Sequence, residues 1–310
     1  MTRLLRAVVP AWPRQLHRRG VLGMNWRNMN ILARCNPKPL YYLTDDKLAT
    51  KELCSRHGIA VPRTYAVVDH PVQTRRLGRL IGRREQFVVK PACGSAGRGV
   101  LIVTGRDAEG FIDTSGQRLS APQLRHHLLA TLGGTYSIGG RVDRAIIEQR
   151  VMTHSSLANL SGGGTPDIRI VIYLGRAVMA MLRLPTRASG GRANLHQGAL
   201  GIGLDLKTGS AVAAVCDGRL VRQHPDDGLP IADILVPMWQ DILDVALRLA
   251  GVIGLGYLGV DIVLSDRFGP VVLEANGRPG LSIQIANRCG LMTRIAEVDQ
   301  DENNRPNPAG

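Results

Sequence analysis

Apolar positions change their spacing along the chain, and the changes mark out its elements. "TDDKLATKELCSRHGIAVP" reads as a helix: Thr44 caps it, Asp45 and Asp46 suit its positive end, and Gly58 stops it ahead of Pro62. Lys47 and Lys51 then share one face. "QFVVKP" and "VLIVTG" read as strands flanking the glycine-rich "ACGSAGRG", "QLRHHLLATLG" as a helix and "RAIIEQRV" as another strand. "DIRIVIYLGRAVMAMLRL" reads as two strands joined at Leu174-Gly175-Arg176, followed by a flexible cationic loop, "PTRASGGRANLHQGA". From Pro237 to Ala250, Trp239, Ile242, Leu243, Ala246 and Leu249 line one apolar helix face. The polar, proline-containing tail, residues 291–310, is expected to be disordered. No internal repeat is present.

The segment "GVDIVLSDRFGPVVLEANGRPG" breaks the apolar pattern with two acids. A hairpin closing through "DRFG", centred between Arg267 and Phe268, puts Asp261 and Glu274 at equal distances from its centre, hence opposite each other. Alternation adds Asn276 to their face and gives Ile262, Leu264, Leu273 and Ala275 the other. Opposed carboxylates in a half-buried sheet repel and resist desolvation. Either a cation sits between them or each pairs with an arginine, and the hairpin by itself leaves both open. An oxygen-only donor set favours Mg²⁺ or Mn²⁺ over zinc.

Composition narrows the class. With 310 residues and 44% hydrophobic content the chain can bury a sizeable core, as one large domain or two to three small ones. No apolar run approaches the ~20 residues that span a bilayer. Five cysteines, widely spaced and without a C-x-x-C pair, fit a reducing cytoplasm. The net charge of +14 is uneven, because residues 1–44 hold eight Arg or Lys and no acid. Such an arm suits nucleic acid, an anionic membrane surface or an acidic protein, and also resembles a transit peptide. Arginine richness runs through the whole chain, however, and 4% aromatics offers little for base stacking. A solvated basic face is the simpler reading, and nucleic acid is not the expected partner.

Other motifs sort by context. "GSAGRG" follows the strand ending at Lys90 and precedes another strand, so it is no Walker loop, which needs a helix after it. Its glycines would still let backbone N–H groups approach phosphate oxygens beside Lys90. "GLGYLG" has a helix before it and a strand after it, the reverse of a dinucleotide fingerprint. His126, His127 and His196 lack acids at metal-ligand spacing.

A lysine-bearing helix, a strand lysine with a glycine loop, an acidic strand and a D...E-x-N hairpin, in that order, resemble the ATP-grasp superfamily. Within it the chain is similar to the alpha-L-glutamate ligase group related to the ribosomal protein S6 modification enzyme. The similarity covers residues 44 to about 290 through "DDKLATK", "VVKPACGSAGRGV", "IIEQRV", "PDIRIVIYLGR", "RANLHQGA" and "GVDIV...VVLEANGRPGL". The resemblance implies an α+β ATP-grasp fold, two α+β subdomains (about 44–147 and 148–290) clasping ATP, behind a basic segment 1–43. It implies Lys47, Lys90, Gly97 and Gly99 on the phosphates, the backbone around Glu148, Gln149 and Val151 on adenine, and Mg²⁺ on Asp261, Glu274 and Asn276. Arg169, Arg183, Arg192, Asn194 and Arg278 would meet phosphate and substrate carboxylate. Residues 1–43 are too short for the full N-terminal module of the group, so a truncated module, completed by a partner protein, is expected. The acid that often holds ribose is absent, leaving only His154, Ser155 and Ser156 after the adenine strand.

The expected activity is ATP- and Mg²⁺-dependent carboxylate–amine ligation through an acyl phosphate, joining an amino acid such as glutamate to a peptide, protein or small amine. The expected assembly is a cytoplasmic homo-oligomer. The alternatives are a catalytically silent nucleotide- or nucleic-acid-binding module and an ATP-grasp small-molecule kinase.

Overall fold

The computed structural model describes residues 12–95, 97–161 and 164–304. The first eleven residues of the basic arm, Ala96 of the glycine loop, Gly162 and Gly163, and the last six residues of the tail lie outside them.

Two antiparallel sheets carry the architecture. The first has the order β1-β6-β2-β3-β4-β5, from β1 (Thr64–Val68), β2 (Phe87–Pro91), β3 (Leu101–Arg106), β4 (Phe111–Asp113), β5 (Arg118–Leu119) and β6 (Ala145–Glu148). Its apolar side, with Phe87, Val89, Val103 and Ile147, packs on Leu124, Leu128 and Leu132 of the helix Ala121–Leu132. Ser120 and Gln123 close a capping box at that helix's start.

The second sheet runs β11-β10-β9-β8-β7-β12-β13. Its strands are β7 (Asp167–Tyr173), β8 (Arg176–Leu184), β9 (Leu200–Leu204), β10 (Ala211–Cys216), β11 (Arg219–Val221), β12 (Tyr257–Ser265) and β13 (Gly269–Asn276). One face packs against the helix Trp239–Ile253, whose five expected apolar residues are all buried. Burying each of the large ones contributes about 1.5–3 kcal/mol. The β7–β8 turn falls at Leu174 and Gly175, both at positive φ, as a two-residue hairpin of right-handed twist requires.

The opposite face divides into two halves. One half, with Val171, Tyr173, Met179, Met181 and Tyr257, is covered by Leu22, Ile31 and Leu32 from the N-terminal segment and by Ile283, Leu291, Ile295 and Val298 near the C-terminus. The other half carries the charged residues Asp167, Arg169, Arg183 and Asp261.

Several expectations are corrected. Residues 291–303 form a helix, Leu291–Asn303, instead of a disordered tail, because Leu291, Ile295 and Val298 recur at helical spacing and are buried against the sheet. The cap of the lysine-bearing helix Lys47–Arg56 is Asp46, which accepts from the Leu48 N–H at 2.9 Å; Thr44 lies in the preceding turn. Leu22, Ile31 and Leu32 of the basic segment belong to the sheet's core. There Asn36 hydrogen-bonds both backbone groups of Tyr257, at 2.7 and 2.8 Å, as a strand neighbour would. The hairpin turn is also one residue tighter than expected. Ser265 pairs with Gly269 across Asp266, Arg267 and Phe268, and a bulge at Leu273 restores the register that sets Asp261 opposite Glu274. Leu273 is pushed out of the α-helix side of the sheet by this bulge and joins Val151, Val263 and Val271 on the acid-bearing side.

Candidate functional site

The charged half-face of the second sheet is built from three neighbouring strands. Asp167 and Arg169 on β7, Arg183 on β8 and Asp261 on β12 stand in register, because Asp261 pairs with Arg169 and Asp167 with Arg183. Arg169 reaches both Asp261 oxygens at 2.7 and 2.6 Å; Arg183 reaches Asp167 at 2.5 and 2.7 Å and Asp261 at 2.7 Å. Two arginines thus meet two aspartates in a buried, neutral quartet. The ion-pair alternative left open by the hairpin is what Asp261 adopts. Burial raises its carboxyl, but Arg169 and Arg183 outweigh burial and hold it well below the usual range. Asp167 goes the other way: burial pushes it up to about 6, against the pull of Arg183 and with the push of Asp261.

Glu274 lies outside the quartet, about a third exposed, with Lys47 at 3.4 Å. Lys47 also donates to the Gly94 carbonyl at 2.7 Å, so this side chain links the glycine loop of the first sheet to the acidic hairpin of the second. Asn276 accepts from the Arg278 N–H at 2.9 Å. The Arg278 guanidinium stacks 3.8 Å over the Tyr41 ring and meets Asp45 at 3.3 Å. Arg192 is exposed on the loop after β8, and Asn194 there accepts from the His196 N–H at 3.0 Å.

On the first sheet Lys90 is buried against Glu148 at 2.5 Å, and Lys51 meets the other Glu148 oxygen at 2.7 Å. Lys51 was not expected in the site; its i,i+4 spacing from Lys47 was the signal that could have found it. Burial lowers its pKa, with Glu148 opposing. Gln149 donates to the Arg63 carbonyl and, with the buried Val151, lines a cavity of about 420 Å³ that also has Ala60, Tyr65, Phe268 and Val271 in its wall. The segment then crosses to the second sheet, where His154 donates to the Leu264 carbonyl at 2.7 Å. A carboxylate does stand beside that segment: Asp266 of the hairpin turn accepts from the Ser155 N–H at 3.0 Å.

Gly97 and Gly99 both lie at positive φ, and a side chain at Gly99 would collide with the Tyr136 ring. His127 reaches the Gly99 carbonyl at 3.0 Å, which accounts for this histidine without a ligand role. Asp143, unmarked by any motif, accepts from the Cys93 and Arg144 N–H groups and the Ser137 hydroxyl at 3.1 Å or less, and so fastens the loop's entry.

Among the described residues no group of three or more His, Cys, Asp or Glu side chains is gathered for a metal ion. Asp261, Glu274 and Asn276 offer only oxygens, the donor type that suits a hard divalent cation, but Asp261 is bonded to two arginines and Asn276 to the Arg278 N–H. Glu274, with one distant partner, is the most available of them. Also among the described residues, all five cysteines are free and no helix is long and apolar enough to cross a membrane.

A probable alpha-L-glutamate ligase from Maridesulfovibrio salexigens is 27% identical over 236 residues, 76% of this chain and 56% of the relative. One from Halorhodospira halophila is 27% identical over 266 residues, 86% and 66% respectively. The chain therefore spans about three fifths of the length of these relatives. Among solved structures, D-cycloserine synthetase DcsG is 18% identical with a TM-score of 0.47, over 89% of this chain and 81% of that one. A RimK domain ATP-grasp protein from Sphaerobacter thermophilus is 15% identical with a TM-score of 0.47, over 85% and 70%. Residues 26–300 match the family described as sugar-transfer associated ATP-grasp, and the chain belongs to that family.

Proposed function

We propose that this chain is an ATP- and Mg²⁺-dependent carboxylate–amine ligase that activates a carboxylate as an acyl phosphate and passes it to an amine. The observation that carries the reading is the Lys47–Glu274 contact at 3.4 Å, where the phosphate-type elements of one sheet meet the acidic hairpin of the other. The names of the curated relatives support an amino acid such as glutamate as one substrate, and a peptide, protein or small amine as acceptor.

In this reading Lys47, Lys90 and the loop bearing Gly97 and Gly99 bind the phosphates, and the chain around Glu148, Gln149 and Val151 receives the base. Glu274 and Asn276 would hold Mg²⁺, joined by Asp261 once an oxygen is released from Arg169 or Arg183, and the ion would supply charge neutralisation at the phosphates. Joining a carboxylate to a phosphate brings two anions together. Arg169, Arg183, Arg192 and Arg278, with Asn194, offset that repulsion without titrating. Arg278, already anchored by the Asn276 turn, stabilises the oxyanion formed when the amine attacks. The amine's proton leaves to solvent, so no Ser–His or Cys–His pair is needed.

The test is ADP and phosphate release by the purified chain with Mg²⁺, amino-acid pools and amine pools, with mass spectrometry of the product. Glu274→Ala should lower turnover at least 100-fold. Turnover that survives this substitution would refute the metal assignment. ADP release without free phosphate or an amide would favour a kinase instead.

A further inference from the structure

The N-terminal segment has a buried side and an unpartnered one. Arg27, Ile31 and Leu32 turn inward, and Arg27 donates to the Pro279 carbonyl at 2.8 Å. Met24 (64% exposed), Trp26 (37%) and Met29 (74%) are left facing out, and Leu16 on the preceding helix is exposed as well. Arg18, Arg19 and Arg34 are exposed among them. No acid occurs before Asp45, and Asp45 is taken up by Arg278.

We propose that residues 16–34 form a docking surface for an anionic lipid bilayer. The charge is of the right sign: Arg18, Arg19 and Arg34 are exposed, the segment has no acid of its own, and on the neighbouring helix Leu291–Asn303 Glu297 and Asp301 are paired with Arg294 and Arg176. The exposed apolar groups are the kinds that enter the headgroup boundary, a tryptophan and flexible methionines, and a purely electrostatic partner such as a duplex gives them nothing to bury against. A second copy of this chain fits poorly, since a symmetric contact would set the exposed Arg18, Arg19 and Arg34 against their own counterparts. Because Arg27 and Asn36 tie the same segment to Pro279 and Gly277, docking holds the Asn276–Pro279 turn close to the headgroups.

The full chain is sedimented with phosphatidylcholine vesicles and with vesicles of equal parts phosphatidylcholine and phosphatidylglycerol, and tryptophan quenching by brominated lipid is recorded. Binding should require phosphatidylglycerol, weaken with salt and quench tryptophan fluorescence. Arg18→Gln with Arg19→Gln should weaken it about 25-fold, from roughly fivefold per charge. Trp26→Ser with Met29→Ser should weaken it about tenfold and remove most of the quenching. Both positions are exposed, so thermal unfolding of this variant should match the parent. Equal binding by the Trp26→Ser/Met29→Ser chain would overturn the proposal in favour of adsorption by net charge alone. So would absence of vesicle binding, or a concentration-dependent dimer that this variant abolishes.

Discussion

Each sheet carries a buried charge cluster, and the two are not built alike. On the second sheet, Arg169 and Arg183 meet Asp167 and Asp261, two against two, on three adjacent strands. On the first sheet, Lys51 and Lys90 share the single carboxylate of Glu148. The quartet is neutral and multiply bonded, so it serves as a frame. The triad keeps an excess positive charge in a poorly solvated place, which is the condition for holding a phosphate. A buried pair contributes little net stability, but loss of one member is costly because its partner remains buried and unpaired.

That contrast can be broken by substitution. Asp261→Ala leaves Arg169 and Arg183 without their shared partner and should cost about 3–5 kcal/mol, read from the urea midpoint. Glu148→Gln leaves two ammonium groups side by side; Lys51 retains the Pro62 carbonyl at 2.5 Å, so the loss should fall near the lower end, about 3 kcal/mol. A smaller loss than this would mean that the triad is hydrated.

The quartet's own asymmetry gives a third test. In metal-free buffer Asp167, raised to about 6 from the ordinary 3.8, holds its proton in the folded state to higher pH than in the unfolded state. Its contribution to stability is full below the unfolded value and is lost as pH rises through about 6. Asp261, held low, contributes above the unfolded value and loses that contribution as pH falls. Asp167→Asn should therefore flatten the stability profile between pH 4 and 6, as followed by thermal unfolding, and leave the acid limb intact.

Lys90→Met should sharpen the comparison from the other side. Glu148 keeps Lys51, so stability should change by only about 1 kcal/mol, while nucleotide-dependent turnover should fall at least 100-fold. Equal losses in both would make Lys90 part of the frame. The smallest effect belongs to the half-exposed Arg278–Asp45 pair, where Asp45→Asn should alter stability by under about 1 kcal/mol.

The individual elements were legible because each is local. The helix under the second sheet and the β7–β8 hairpin follow from periodicity and turn chemistry within about twenty residues, whereas the opposition of Asp261 to Glu274 needs a tighter turn and a compensating bulge at Leu273. The tail misled because its polar composition outweighed Leu291, Ile295 and Val298, whose burial depends on the sheet beneath them. Lys51 and Asp143 escaped because the partners that give them their roles, Glu148 and Cys93, lie 97 and 50 residues away.

The sequence by itself determined which residues could bear charge on one face of a sheet, since alternation on a strand assigns faces irrespective of neighbours. Tertiary structure decided which charges meet. Arg169 and Asp261 are 92 residues apart and become partners only because β7 and β12 are adjacent and in register. Only then does desolvation turn a polar pattern into a neutral frame on the second sheet and a cationic cluster on the first.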